Sequence, residues 1–333
     1  AVNAIAPLVE NIDFNNLSLK VLSEFEDDVI DKIFSSRILV ATVSKFISET
    51  DFGDAPIIIS DTVYDETGYI NKIELTNVVN AFRVLIDKLP CDKQGDDQVC
   101  QDLGFNYKAI LTLSDKDIEV ILSSTIITET IGNLLIEQVG DMLIIPESVK
   151  ESITIKDEER IVISKEELEK LFKNIIIFNF TDYEDINFDE TLLDKLTIVD
   201  DNGKKVFDSN KRQVLFGDKS SVIIQASLSK MILDLTTNED SMIIVPYYSY
   251  NNELIREMRE NGLELIAKME LERVLNALIV IGIEDYNNID NIKIETLKDN
   301  INTILESAIL HATISNQVIR QDSEDIIIPY SVR

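Results

Sequence analysis

Apolar residues at Leu168, Leu171, Phe172 and Ile175 fall at i, i+3, i+4 and i+7, the spacing of one face of a helix. Ser164 stands just before that run and Glu167 three residues after it. A hydroxyl followed three positions on by a glutamate predicts a capped helix start, the serine accepting the Glu167 N–H and the glutamate reaching back to the serine N–H. The same six-residue pattern, I-x-K-x-E-L, occurs at Ile70–Leu75, Ile163–Leu168 and Ile266–Leu271. Asn71 with Glu74 repeats the cap arrangement, whereas Glu270 follows Ala267, which has no cap oxygen and predicts a less sharp start.

A second pattern follows each of these. Segments opening on Ser36, Ser124, Ser221 and Ser307 combine apolar and small residues at helical spacing, and a helical run Leu297, Ile301, Ile304, Leu305 leads into the last of them. The small residues, Ala41 and Ser44, Ala226 and Ser229, Ala308, Ala312 and Ser315, predict close helix packing. Each segment is followed, 22 to 25 residues after its serine, by the end of an apolar tetrad: Ile57–Ser60, Leu143–Pro146, Ile243–Pro246 and Ile326–Pro329. β-Branched tetrads too short for helices predict buried strands, closed in three cases by proline, with neighbouring modules joined by strand pairing. Ile153–Ile155 and Ile161–Ile163 flank a polar turn at Asp157–Arg160, and Leu196–Val199 and Val206–Phe207 flank a turn centred on Asn202-Gly203; both predict hairpins.

Two patterns recurring in one order predict a helix-rich α+β chain built as a tandem modular repeat array, helix pairs alternating with short Ile-rich strands or hairpins. The expected modules are 1–64, truncated at its start, 65–150 with a cysteine-containing insertion, 151–250 with a hairpin insertion near 196–207, and 251–333. Val2-Asn3-Ala4-Ile5 resembles Leu275-Asn276-Ala277-Leu278 without the preceding helix start, which leads to the expectation of a segment of a longer array.

Charge narrows the functional classes. The 333 residues carry 61 acidic and 31 basic side chains, a formal charge of −30 spread along the chain. That field repels phosphate backbones and anionic lipid heads, so no nucleic-acid partner is expected. No apolar run approaches the ~20 residues of a membrane-spanning helix, so no membrane insertion is expected of this segment. Partners are expected to be proteins or neighbouring modules.

Candidate chemistry is sparse. Cys91 and Cys100 flank a polar, Gly-containing octapeptide, fitting a local disulfide in an oxidising compartment and neither a redox nor a zinc spacing. His311 is the single histidine, aligned with Val40, Thr128 and Gln225 in the other segments, which argues against a nucleophilic triad built on it. Among the acidic stretches, Asp200–Gly203 has some letters of a calcium loop but lacks its alternating ligands and its glutamate at position 12. Glu26–Asp28 with Asp31 is read as a solvated helix face. Asp182–Asp185 with Asp189-Glu190 is a connector that could hold a divalent ion, so that weak Ca2+ binding is the most expected of them. Asn71, Glu74, Ser164, Glu167 and Glu270 are read as structural caps, with no catalytic, cofactor or metal residue assigned. The expectation is a non-enzymatic structural or interaction segment of a larger, bacterial surface-exposed or secreted protein, serving as a stalk or adhesion scaffold. The alternatives are a phage virion or assembly protein and an enzyme with a paired-carboxylate site.

Overall fold

The computed structural model describes residues 22–49, 51–52, 55–88, 111–139, 143–178, 190–236, 243–250, 265–281 and 294–320. The chain divides into two compact units, residues 1–140 with 149–176, and residues 141–148 with 177–333. Both are helix-rich with a few short antiparallel strands, an α+β composition.

In the first unit, α1 (Asp27–Ile33) and α2 (Arg37–Ser48) precede a two-residue antiparallel pair, β1 (Asp51–Phe52) with β2 (Ala55–Pro56). Then come α3 (Lys72–Lys88), α4 (Asp115–Ile121), α5 (Thr125–Val139), the hairpin of β3 (Lys150–Ile155) and β4 (Glu158–Ile163), and α6 (Lys165–Phe178), which belongs to this unit up to Ile176. Leu75 and Val79 of α3, Ile126 of α5, and Leu168 and Leu171 of α6 are wholly buried. Each contributes roughly 1.5–3 kcal/mol by leaving water, which is what holds these amphipathic helices in place.

The second unit holds α7 (Glu190–Leu196), the hairpin of β5 (Thr197–Val199) and β6 (Lys205–Phe207), α8 (Ser209–Phe216), α9 (Val222–Thr236), α10 (Lys268–Ile281), α11 (Ile294–Glu306) and α12 (Ala308–Arg320). Ala277, Ile281, Ile304 and Leu310 form one buried cluster, against which Ile314 packs. Phe207 and Phe216 meet edge to face, with ring centroids 6.2 Å apart.

Both predicted hairpins are present. β5 and β6 pair from Thr197↔Phe207 to Val199↔Lys205, with Gly203 at φ +77° in the turn. The turn between β3 and β4 is earlier and tighter than the polarity of Asp157–Arg160 suggests. It consists of Lys156 and Asp157, both at positive φ, which matches the twist a two-residue hairpin needs and lets Glu158–Arg160 pair as strand.

The tetrads depart from expectation. Among the described residues Ile57–Ser60, Leu143–Pro146 and Ile243–Pro246 do not form strands, and each leads into a single 3-10 turn, Asp61–Val63, Glu147–Val149 or Tyr247–Ser249. The fourth tetrad lies outside the described residues. The physical reason is that the N–H of the second tetrad residue is taken by a side-chain hydroxyl: Ile58 donates to Thr130 Oγ1, Ile144 to Ser227 Oγ and Ile244 to Thr313 Oγ1, each at 3.0 Å.

A second departure concerns the serine segments. They are helices, α2, α5, α9 and α12, but they do not continue the preceding helix. The serine lies in the break, as at Ser307 between α11 and α12, and the axes of α4 and α5 differ by 99°.

Candidate functional site

The I-x-K-x-E-L motif lies where the chain enters α3, α6 and α10, and each of its residues has a defined place. Antiparallel bridges join its isoleucine to the residue after the 3-10 turn, Ile70 to Tyr64 and Ile266 to Tyr250; in β3–β4 the corresponding pair is Ile163 with Lys150. The next residue donates its N–H back to the end of that turn: Asn71 to Val63 O at 2.9 Å, Ser164 to Val149 O at 2.9 Å and Ala267 to Ser249 O at 2.7 Å.

That donor is therefore occupied, and a glutamate reaching back for it finds nothing to accept. The caps work in one direction only. Asn71 Oδ1 accepts the Glu74 N–H at 2.9 Å and Ser164 Oγ accepts the Glu167 N–H at 3.3 Å, while at Ala267 the backbone carbonyl accepts the Glu270 N–H at 2.9 Å.

The glutamate side chains of the first and third motifs go elsewhere. Glu74 Oε1 accepts the Ser124 hydroxyl at 2.7 Å and the Ile126 N–H at 2.9 Å. Glu270 Oε1 accepts the Ser307 hydroxyl at 2.8 Å and the Ile309 N–H at 2.9 Å. Each serine in turn accepts the N–H three residues on, at Ile127 and Leu310, 3.2 Å in both cases. Serine and glutamate together satisfy two of the orphan donors at the start of α5 and of α12, where an acidic group also complements the helix dipole. Glu74, Glu167 and Glu270 are all buried, at 5%, 3% and 5% exposure, depths a solvent-facing helix cap would not need.

The motif lysine ties back to an earlier element. Lys72 pairs with Asp31 of α1 at 3.0 Å, and Lys268 donates to Gly217 O at 2.6 Å and Ser220 Oγ at 2.9 Å beyond the end of α8. The motif isoleucine N–H finds the small residue eight positions after a segment serine: Ile70 donates to Ser44 Oγ at 3.1 Å and Ile266 to Ser229 Oγ at 2.5 Å. Gly132 occupies that position in α5, where a Cβ would lie 2.9 Å from both the N and the O of Ile163.

One buried acid stands apart. Glu129 of α5 is 8% exposed and accepts from the Ser60 hydroxyl and N–H, while its Oε2 has no hydrogen-bond partner. Burial pushes its carboxyl up to about 7 against the Ser60 hydrogen bonds, with the nearby charges of Glu74 and Glu151 adding to the rise. Sequence reasoning passed over this residue. Its signal was a lone glutamate at a place where the other segments carry alanine.

The remaining candidates do not converge. Cys91, Cys100 and most of Asp182–Glu190 lie outside the described residues. His311 is exposed on α12. Asp200 uses Oδ1 to accept the N–H groups of Asn202 at 2.9 Å and Lys204 at 2.8 Å, and these hydrogen bonds, Lys204 first, hold its carboxyl below the usual range. In the α1 cluster Asp27 pairs with Arg83, Asp28 with Lys32 and Asp31 with Lys72. Among the described residues no group of three or more acidic, histidine or cysteine side chains is arranged to hold a metal. A reciprocal capping box does exist, at Ser114 and Asp117 at the start of α4, outside the I-x-K-x-E-L motif.

No family model, curated protein or solved structure matches the chain. Among the described residues no single helix is long and apolar enough to cross a membrane; the bent α4–α5 pair passes on length and composition alone.

Proposed function

We propose that this chain is a non-enzymatic scaffold: a tandem array of helix-pair modules forming a stalk or protein-binding segment of a larger, surface-exposed bacterial protein. The observation that carries the reading is the carboxylate lock. The residues of the recurrent motif that would be first candidates for acid–base work, Glu74 and Glu270, are committed to holding the serine hydroxyl and first-turn N–H of a helix 50 and 37 residues further on. Recurrence of the tetrad-to-hydroxyl bond in three places and of the isoleucine-to-serine bond in two supports one architectural unit used repeatedly.

Stretching single molecules between their ends tests this. The expected trace is a series of separate ruptures, with Glu74→Ala and Glu270→Ala each weakening a different one. A single all-or-none rupture would count against the array, and a purified activity lost on Glu74→Ala without loss of fold would overturn the non-enzymatic reading. Antibody labelling of intact cells tests the surface placement, a signal appearing only after lysis speaking against it.

A further inference from the structure

The four serine helices are not covered alike. Two residues after the segment serine, Ile126, Ile223 and Ile309 are each 0% exposed, but Ile38 of α2 is 78% exposed. Six residues after the serine, Thr130, Ser227 and Thr313 are buried and accept a tetrad N–H, whereas Thr42 is exposed. Thr42 Oγ1 donates to Ile38 O at 2.8 Å, as Ser227 Oγ does to Ile223 O at 2.8 Å, so its hydroxyl is held in the same orientation with its acceptor side open. Ser36, unlike Ser124 and Ser307, makes no side-chain cap bond, and the first turn of α2 has no acidic residue but does carry Arg37. The other face of the same helix is engaged, through Ser44 with Ile70.

We propose that the face of α2 formed by Ser36, Ile38 and Thr42 docks a polypeptide segment of the module's own chemistry: an extended Ile-rich tetrad followed by an I-x-K-x-E-L helix start, supplied by a further module. The inference rests on the array reading above. The tetrad would give its second N–H to Thr42, and the motif glutamate would accept from the Ser36 hydroxyl and the Ile38 N–H beside the cationic Arg37, covering Ile38 as its counterparts are covered. Residues 1–21 contain neither a tetrad nor the motif. The described tetrads of the chain itself already give their second N–H to Thr130, Ser227 and Thr313.

The test is a chain in which residues 57–79 are placed before Asn3 in place of Ala1 and Val2, so that the Val79–Asn80 register continues into Asn3. Amide exchange at Ile38 is expected to slow at least ten-fold, and to return to its original rate with Thr42→Val or with alanine for the added copy of Glu74. Unchanged exchange at Ile38, while Ile126 in the same sample stays protected and so reports a folded host, would overturn the docking. So would dimerisation of the unextended chain through this face, seen by sedimentation and abolished by Ile38→Asp. Glu74→Ala and Glu270→Ala in the unextended chain separate the two levels. If exchange at Ile126 and Ile309 does not rise, the lock itself is wrong; if it rises and the extended chain shows nothing at Ile38, only the docking is wrong.

Discussion

Glu129 and Ser60 form a pair that the other segments replace as a unit. Where the tetrad ends in Ser60, the helix position five after the serine is Glu129; where it ends in Pro146 or Pro246, that position is Ala226 or Ala312. Proline has no N–H to give, so an acceptor opposite it would be left unpaired in the interior. Ser60 already has φ −71°, close to the −65° of Pro246, so the backbone accepts proline there. Ser60→Pro alone should cost about 1–3 kcal/mol by stripping Glu129 of both its donors, the Ser60 hydroxyl and N–H, whereas Ser60→Pro with Glu129→Ala should recover that loss and add roughly 0.4–1 kcal/mol through the stiffer unfolded chain. Urea denaturation of the two variants against the parent checks both. The raised carboxyl also fixes a pH dependence. A group at about 7 in the folded state and 4.5 otherwise contributes fully below 4.5 and loses its contribution as pH rises through 7. Glu129→Gln should remove that slope, so its stability relative to the parent rises between pH 4.5 and 8; a constant difference across the range would show that the acid is not buried in solution.

Elements here are defined by what their ends hold on to. The helices over the I-x-K-x-E-L motif and the serine segments were legible because amphipathic spacing and a cap oxygen are local signals, and α3, α6 and α10 all begin at the motif lysine. The destination of the glutamate was not legible, because its partners Ser124 and Ser307 lie far along the chain and a nearer, chemically adequate partner was available on paper. The tetrads were misread for a related reason: Ile-rich sequence reports burial, but whether the backbone pairs with a strand or with Thr130 is a tertiary matter. Removing the lock with Glu74→Ala should cost about 2–3 kcal/mol, more than a surface cap, because it leaves the Ser124 hydroxyl and Ile126 N–H buried without an acceptor. Hydrogen exchange should show the loss first at the start of α5. Gly132→Ala should destabilise by roughly 1–3 kcal/mol, since the new Cβ meets the Ile163 backbone rather than a yielding side chain. Loss of the β3–β4 amide protection near Ile163 would be its signature, and wild-type protection there would show that the hairpin moves away freely.

At the scale of the whole molecule, the charge of −30 is consistent with a chain whose helices bury apolar faces and leave carboxylates to solvent. Self-repulsion of that size weakens the folded state at low ionic strength, so the thermal midpoint should rise between 10 and 200 mM salt as screening shortens; a flat response would show that self-repulsion does not limit the stability of the fold. His311→Ala should leave the midpoint unchanged, its side chain being exposed. The lock between Glu74 and Ser124, and between Glu270 and Ser307, has a direction along the polypeptide. In each the acceptor precedes the helix that it serves, so during synthesis the carboxylate has emerged before its serine. A ribosome-bound chain can thus secure each new helix on a segment already available, and folding can advance in the order of translation. Nascent chains arrested far enough beyond Val139 for α5 to have cleared the ribosome should accordingly resist protease in α3–α5, while those carrying Glu74→Ala should be cut there.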